Sequence, residues 1–206
     1  MKKLLLFALF SLPLWAQSAT LNLSCSSNVR AGSMLTCSIA LSGGSLPAGL
    51  QWTLATSSPV GAVVVTPAAA VTAVQKNFLC NAVNMCLLTG INANQIADGA
   101  LATLSIPIPA GSGNRQMTLN LFATVGASLL GTAVSATANP PVSVSILSGC
   151  DINGDGQTNA ADVTAEENGV LAIPQAASDL TSDGKSDVVD VQIVINAVRG
   201  LACTAQ

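Results

Sequence analysis

Nine of the ten carboxylates of this 206-residue chain fall between Asp151 and Asp190. Seven of the nine stand in two copies of one twelve-residue pattern: D-I-N-G-D-G-Q-T-N-A-A-D from Asp151 to Asp162, and D-L-T-S-D-G-K-S-D-V-V-D from Asp179 to Asp190. Acids at positions 1, 5 and 12 with glycine at position 6 suit a hard cation. Calcium takes six to eight oxygens at about 2.3–2.6 Å, and the tight turn that wraps a short loop round it needs glycine's backbone freedom. In the first copy the oxygens would come from the side chains of Asp151, Asn153, Asp155, Asn159 and Asp162 and from the carbonyl of Gln157. In the second they would come from Asp179, Thr181, Asp183, Asp187 and Asp190, with Lys185 giving only its carbonyl. Thr181 is the weakest of these donors, and Asp187 at position 9 adds charge where the first copy has Asn159. One isolated copy would read as an Asx-rich turn. Two copies 28 residues apart (151 to 179), each closed by an acid, predict two bound calcium ions.

The segment before the first loop is not helical in pattern, because Pro140, Pro141 and the alternating run Val142–Leu147 precede it. After the second loop Val191, Val194, Ile195 and Val198 recur at i, i+3, i+4 and i+7, with Gly200 where a C-terminal cap belongs, which predicts a helix. After the first loop the apolar pattern is broken by Glu166, Glu167 and Gly169, which predicts a shorter or frayed helix. Loop then helix, twice, from Cys150 to about Ala202, resembles the type I dockerin domain of bacterial polysaccharide-degrading complexes. That resemblance implies docking onto a cohesin domain of another protein, through loop positions 10 and 11 and the helix that follows. Those positions are Ala160, Ala161, Val188 and Val189, where many type I dockerins carry a Ser-Thr type pair.

Lys2 and Lys3 followed by the apolar run Leu4–Trp15, with small residues at Ala16 and Ala19, have the layout of a secretory signal peptide over residues 1–19. The run is too short to span about 30 Å of hydrocarbon, and no later stretch reads as a membrane span. Six cysteines agree with an oxidising, extracellular destination, and six can pair in fifteen ways. The dockerin resemblance implies that Cys150 pairs with Cys203, since such a module brings its ends together. Cys25 would then pair with Cys37, and Cys80 with Cys86.

Residues 20–148 form one domain's worth of almost uncharged chain, distinct from the acidic module of residues 149–206. Candidate strands are Thr20–Cys25, Met34–Leu41, Leu50–Thr56, Ala62–Thr66, Met85–Thr89, Ala100–Ile108, Gln116–Val125 and Val142–Leu147. Turn-forming stretches separate them, which predicts a mainly β chain: an antiparallel sandwich or jelly roll, followed by a small helical module. Gly32–Leu41, Gln51–Thr56 and above all N-Q-I-A-D-G-A-L-A-T-L-S-I-P-I from Asn94 to Ile108 make this region similar to a cohesin or a related carbohydrate-binding-module sandwich. The acid of the cohesin "Y/F-D-P" segment is missing, with Ser57, Ser58 and Pro59 near that place. An ordinary immunoglobulin-like sandwich fits the same strand spacing.

Catalysis is poorly provided for. Residues 20–149 hold one carboxylate, Asp98, where a glycosidase uses two, and the chain has no histidine for acid–base work. Asp98–Gly99 reads as a turn. The same residues carry Arg30, Lys76 and Arg115 against Asp98, for +2, while residues 150–206 carry nine acids against Lys185 and Arg199, for −7. Nucleic acid is a poor partner for such a chain. The expected function is an exported, calcium-dependent adaptor that binds another protein through a complementary cohesin or dockerin. A carbohydrate-binding module anchored through its dockerin is the alternative, with Trp52 the aromatic best suited to stacking on polysaccharide and Phe78 and Phe122 read as core. Only Ser148 and Gly149 link the last strand to Cys150, so contact between the two binding faces would have to be head-to-tail between molecules.

Overall fold

The computed structural model describes residues 18–172 and 178–203. The signal peptide expected over residues 1–19 therefore lies, up to residue 17, outside the described residues. In chain order the elements are β1 (Ala19–Cys25), β2 (Asn28–Arg30), β3 (Met34–Ser42), β4 (Gly49–Thr56), β5 (Val64–Pro67), α1 (Ala69–Ala73), β6 (Asn77–Cys80), β7 (Met85–Thr89) and β8 (Gly99–Pro107). They continue with β9 (Arg115–Ala127), β10 (Ala133–Val134), β11 (Ala136–Ala138), β12 (Val142–Leu147), α2 (Ala160–Val170) and α3 (Val188–Val198).

Alternation of apolar and polar residues sets the strands. In β3, Leu35, Cys37, Ile39 and Leu41 are buried while Met34, Thr36 and Ser38 face out. One sheet runs β11-β1-β3-β8-β5, and the other runs β2-β12-β9-β4-β7-β6 with β10 added on β9. Their inner faces share one core, to which Leu21, Ile39, Leu104 and Ile106 come from the first sheet and Leu50, Trp52, Leu88 and Leu119 from the second. The mainly β sandwich is as expected, but it is not wholly antiparallel. β11 joins β1, and β2 joins β12, in parallel. Both added strands have three residues, too few to show a period, and their partners are far away in the sequence.

A bulge redirects β9. Met117, Leu119 and Leu121 point inward, and strict alternation would place Val125 inward as well. Instead the β4–β9 register shifts between Gln51 and Thr53, and Ala123 takes a left-handed backbone with φ of 50°. One extra residue flips the parity. Val125 therefore joins Phe122 on the exposed face, and Gly126 turns in.

Residues 150–203 have a second, smaller core of Cys150, Ile152, Ala165, Ile193 and Val194. Its two helices begin at loop position 10, three residues before the apolar pattern that follows each loop. Asn159 and Asp187, at position 9, are N-caps: their side chains accept from the amides of Ala161 and Val189. The first helix is not shorter or frayed, since α2 and α3 both span 11 residues. Its buried stripe of Asp162, Ala165 and Glu166 is the counterpart of Asp190, Ile193 and Val194. A glutamate in the place of a valine hides the periodicity without removing the helix. After α3, Gly200 takes φ of 89° and donates to the Ala197 carbonyl, while Leu201 donates to Asn196, which closes the helix as the sequence predicts.

Three disulfides close. Cys25–Cys37 links opposite residues of β1 and β3, and Cys80–Cys86 does the same for β6 and β7. Cys150–Cys203 brings together residues 53 apart in sequence, the two ends of the helical module.

Candidate metal centre and docking faces

The two loops repeat one hydrogen-bond plan, dictated locally by short polar side chains that bond the backbone a few residues on. At position 1 the Oδ2 of Asp151 accepts from the amide of Gly156 at 2.9 Å, and the Oδ2 of Asp179 accepts from Gly184 at 2.8 Å. These glycines have φ of 90° and 85°, a conformation that a side chain would strain. At position 5 Asp155 accepts from the Gln157 amide and Asp183 from the Lys185 amide. At position 12 Asp162 accepts from the amides of Asn153 and Asn159, and Asp190 from those of Leu180, Thr181 and Asp187. Each closing acid thus ties the start of its loop to the helix cap, completing a capping box with position 9.

The buried atom that decides what this plan can hold is Oδ1 of Asp151. Asp151 is 0% exposed, and among the described residues nothing donates to that oxygen. Leaving a buried anionic oxygen unpaired costs more than about 1–3 kcal/mol, so the site suits a cation. Among the described residues no three His, Cys, Asp or Glu side chains converge as a cluster able to hold a metal. With no histidine in the sequence and all six cysteines in disulfides, no thiolate or imidazole is offered to a metal. A calcium loop instead mixes carboxylate, amide and carbonyl oxygens. The Asn153 amide is at hand in the first loop, and no described group donates to the carbonyls of Gln157 and Lys185.

The loops are not equivalent. At position 3 Asn153 accepts from the Asp155 amide, whereas the Thr181 hydroxyl donates to Asp179. At position 4 Gly154 has φ of 75°, and its counterpart Ser182 takes φ of 60°, which costs a non-glycine residue strain. Asp179 is exposed, and its carboxyl lies below the usual range because the Gly184 amide, then Thr181 and the Asp183 and Ser182 amides, hydrogen-bond its ionised form. Glu166 reaches from α2 to the entrance of the second loop, where both its oxygens accept from the Ser178 amide at 3.1 Å. Burial pushes its carboxyl up, the Ser178 amide opposes this, and nearby Asp190 adds to it.

Residues 148–199 match the model of the Dockerin type I domain. Two solved structures, both described as type I cohesin–dockerin complexes from Clostridium thermocellum, share the fold of the larger part of the chain. The OlpC complex is 16% identical over 64% of this chain and 95% of its own, with a TM-score of 0.50. The OlpA complex is 12% identical over 63% and 99%, with a TM-score of 0.52. Shares of that size reach well beyond the helical module and must include the sandwich. A dockerin-like module follows a cohesin-like sandwich. A search of curated proteins finds no match.

On the dockerin-like module, Ala160 and Ala161 open α2, and Val188 and Val189 open α3 at the equivalent places; all four are exposed. Val188 is 73% and Val189 53% exposed. On the cohesin-like sandwich, the outer face of β6-β7-β4-β9 carries Leu79, Leu87, Met85, Phe122 and Val125 exposed side by side, through the pairings Leu79–Leu87, Leu87–Gln51–Val125 and Met85–Thr53–Phe122. Sequence reasoning missed this face. It read Phe122 as core, and the only available signal was the run Met85–Leu88, apolar at every position in a strand that needs one apolar face. Trp52 is a correction in the opposite sense. It is 0% exposed and packs edge-on against Phe78 at 5.4 Å, so it offers no surface for stacking on sugar. Asp98 braces the turn between β3 and β4 by accepting from the Gly44 amide, whereas Gly99, its partner in the expected turn, begins β8. Among the described residues no helix is long and apolar enough to cross a membrane.

Proposed function

We propose that this chain is an exported adaptor of the cohesin–dockerin type, built of a sandwich over residues 20–148 and a calcium-loaded module over residues 149–206, acting in polysaccharide degradation or extracellular assembly. The observation that carries the reading is the exposure of Val188 and Val189 at the start of α3, with Ala160 and Ala161 at the matching place on α2. Apolar side chains exposed at two repeat-related positions suit the apolar centre of a docking surface. The exposed sheet face around Phe122 is a second such surface, suited to the complementary module of a partner. Both folds belong to interaction modules and not to catalysts.

Asp151, Asn153, Asp155, Asn159 and Asp162 with the Gln157 carbonyl would hold one calcium ion, and Asp179, Thr181, Asp183, Asp187 and Asp190 with the Lys185 carbonyl the other. Bound calcium would neutralise the clustered acids and lock the first turn of each helix, where the docking residues sit. Export is supported by the three disulfides and by the leader-like start of the chain. Ala19 is the buried first residue of β1, which favours Ala16 as the cleavage position.

The test is capture from the secretome with the full chain as bait, in calcium and in chelator, identifying the captured proteins by mass. Recovery of a protein bearing a cohesin or dockerin in calcium alone, lost in Val188→Arg and Val189→Arg, is the expected result. Capture indifferent to calcium and to both substitutions would overturn the reading. Light scattering across a concentration series decides whether a second copy can serve as partner: a strict monomer at high micromolar concentration assigns the partner to a different protein.

A further inference from the structure

The sandwich reaches into the first loop but not into the second. Arg30, in the edge strand β2, is held beside the last strand by the register Leu147–Arg30. Its guanidinium donates to the carbonyl of Asp151 at 2.5 Å and to that of Ile152 at 3.1 Å. It forks across two successive carbonyls at loop positions 1 and 2, next to the buried carboxylate whose Oδ1 lacks a donor. Its Nη2 also lies where a side chain at Gly154, position 4, would meet it at 3.8 Å. Asn114, in the loop before β9, fixes the entrance as well, accepting from the Ser148 amide. Among the described residues, every hydrogen bond to residues 179–190 comes from within the dockerin-like module.

From this asymmetry we infer that Arg30 is a positioning residue for the first calcium loop, through which the sandwich sets that loop's metal affinity and is itself stabilised when the loop is filled. The inference rests on the calcium reading of the loops. Its physical basis is preorganisation. Two carbonyls fixed from outside hold the Asp151 main chain, and with it the carboxylate, in the metal-ready position, so less ordering remains to be done on binding. Because coupling is reciprocal, metal in the first loop must stabilise the Arg30 contact and the β2–β12 edge that carries it. The charge of Arg30 acts in the opposite direction, since a cation beside the site repels calcium, and so the sign of the mutational effect separates the two roles.

The experiment uses the full chain, with calcium alone as the probe and two readouts: two-site calorimetry, and thermal unfolding followed by the fluorescence of Trp52, a buried sandwich residue and the only tryptophan beyond residue 15. Arg30→Ala is expected to weaken one site about tenfold and to leave the other within twofold. Arg30→Lys, able to reach one carbonyl, should fall between Arg30→Ala and the parent. In an Asp179→Ala background, where only the first loop remains, the tenfold effect should persist, and calcium should still raise the Trp52 transition. In an Asp151→Ala background both effects should vanish. Tighter calcium binding in Arg30→Ala would show that charge repulsion outweighs positioning, and an unchanged affinity would show that the contact is incidental; either result overturns the inference alone. Failure of the parent chain to bind calcium overturns the loop reading along with it.

Discussion

Opening the Cys150–Cys203 bridge should nearly abolish the independent stability of the dockerin-like module and, in saturating calcium, leave the sandwich unchanged. The bridge closes a loop of 53 residues, and removing such a closure frees chain entropy worth about 4 kcal/mol at 25 °C. Against that stands, among the described residues, a buried cluster of Cys150, Ile152, Ala165, Ile193 and Val194, and a core this small rarely supplies more than about 3–5 kcal/mol. The two quantities cancel. On the calcium reading of the loops, bound metal would supply the difference, because a ligand at a thousand times its dissociation constant adds about 4 kcal/mol per site. The assay is amide hydrogen exchange on the Cys150→Ala/Cys203→Ala chain in saturating calcium, where the module remains folded and can be measured. Protection in α3 should fall about a thousandfold relative to the bridged chain, while amides of β9 such as that of Leu119 keep theirs. In chelator, α3 of the unbridged chain should exchange as an unfolded peptide. A loss of less than tenfold in calcium would refute the reasoning, because it would mean that residues 150–203 are already compact before folding and have little closure entropy to lose.

Trp52→Ala empties a fully buried position and breaks the edge-on contact with Phe78, so denaturant unfolding should show the sandwich weakened by about 3–5 kcal/mol; a loss below 1 kcal/mol would contradict its placement in the core. Leu87→Asp or Phe122→Arg, on the exposed sheet face, should change unfolding free energy by no more than about 0.5 kcal/mol, yet reduce partner capture at least tenfold. Ser182→Gly relieves a left-handed serine at position 4 of the second loop and should raise the stability of that loop by about 1 kcal/mol, read as tighter calcium binding at one site only. Asp162→Asn keeps the shape but weakens the acceptor for the Asn153 and Asn159 amides, and calorimetry should show the first site weakened by at least tenfold while the second is retained.

What was legible in the sequence was whatever is encoded locally. The loop pattern could be read because an Asp or Asn bonds the backbone two to five residues on, so spacing alone sets the geometry. A strand such as β3 could be read because a period of two survives along its whole length. The misreadings share a different cause. Glu166 sits in a helical stripe where its counterpart is Val194, and only the tertiary contact with Ser178 makes a glutamate acceptable there. Val125 faces outward because Ala123 inserts a bulge that no local composition announces. The strands β2 and β11 exist only through parallel pairing with distant partners. The asymmetry between the loops was half visible in Thr181; the other half comes from Arg30, which is 121 residues from its first acceptor.

The Cys150–Cys203 bridge also decides where tension would travel. Its two Cα atoms are 5.7 Å apart, so a pull arriving at Cys203 crosses the sulfurs to Cys150 and passes through Gly149 and Ser148 into β12, which is zipped between β9 and β2. The two acidic loops, α2 and α3 lie outside that path, like a bight of rope behind a shackle. A partner gripping the exposed turns of α2 and α3 would load them directly, whereas strain entering at Cys203 would spare them and test the shear strength of a sheet.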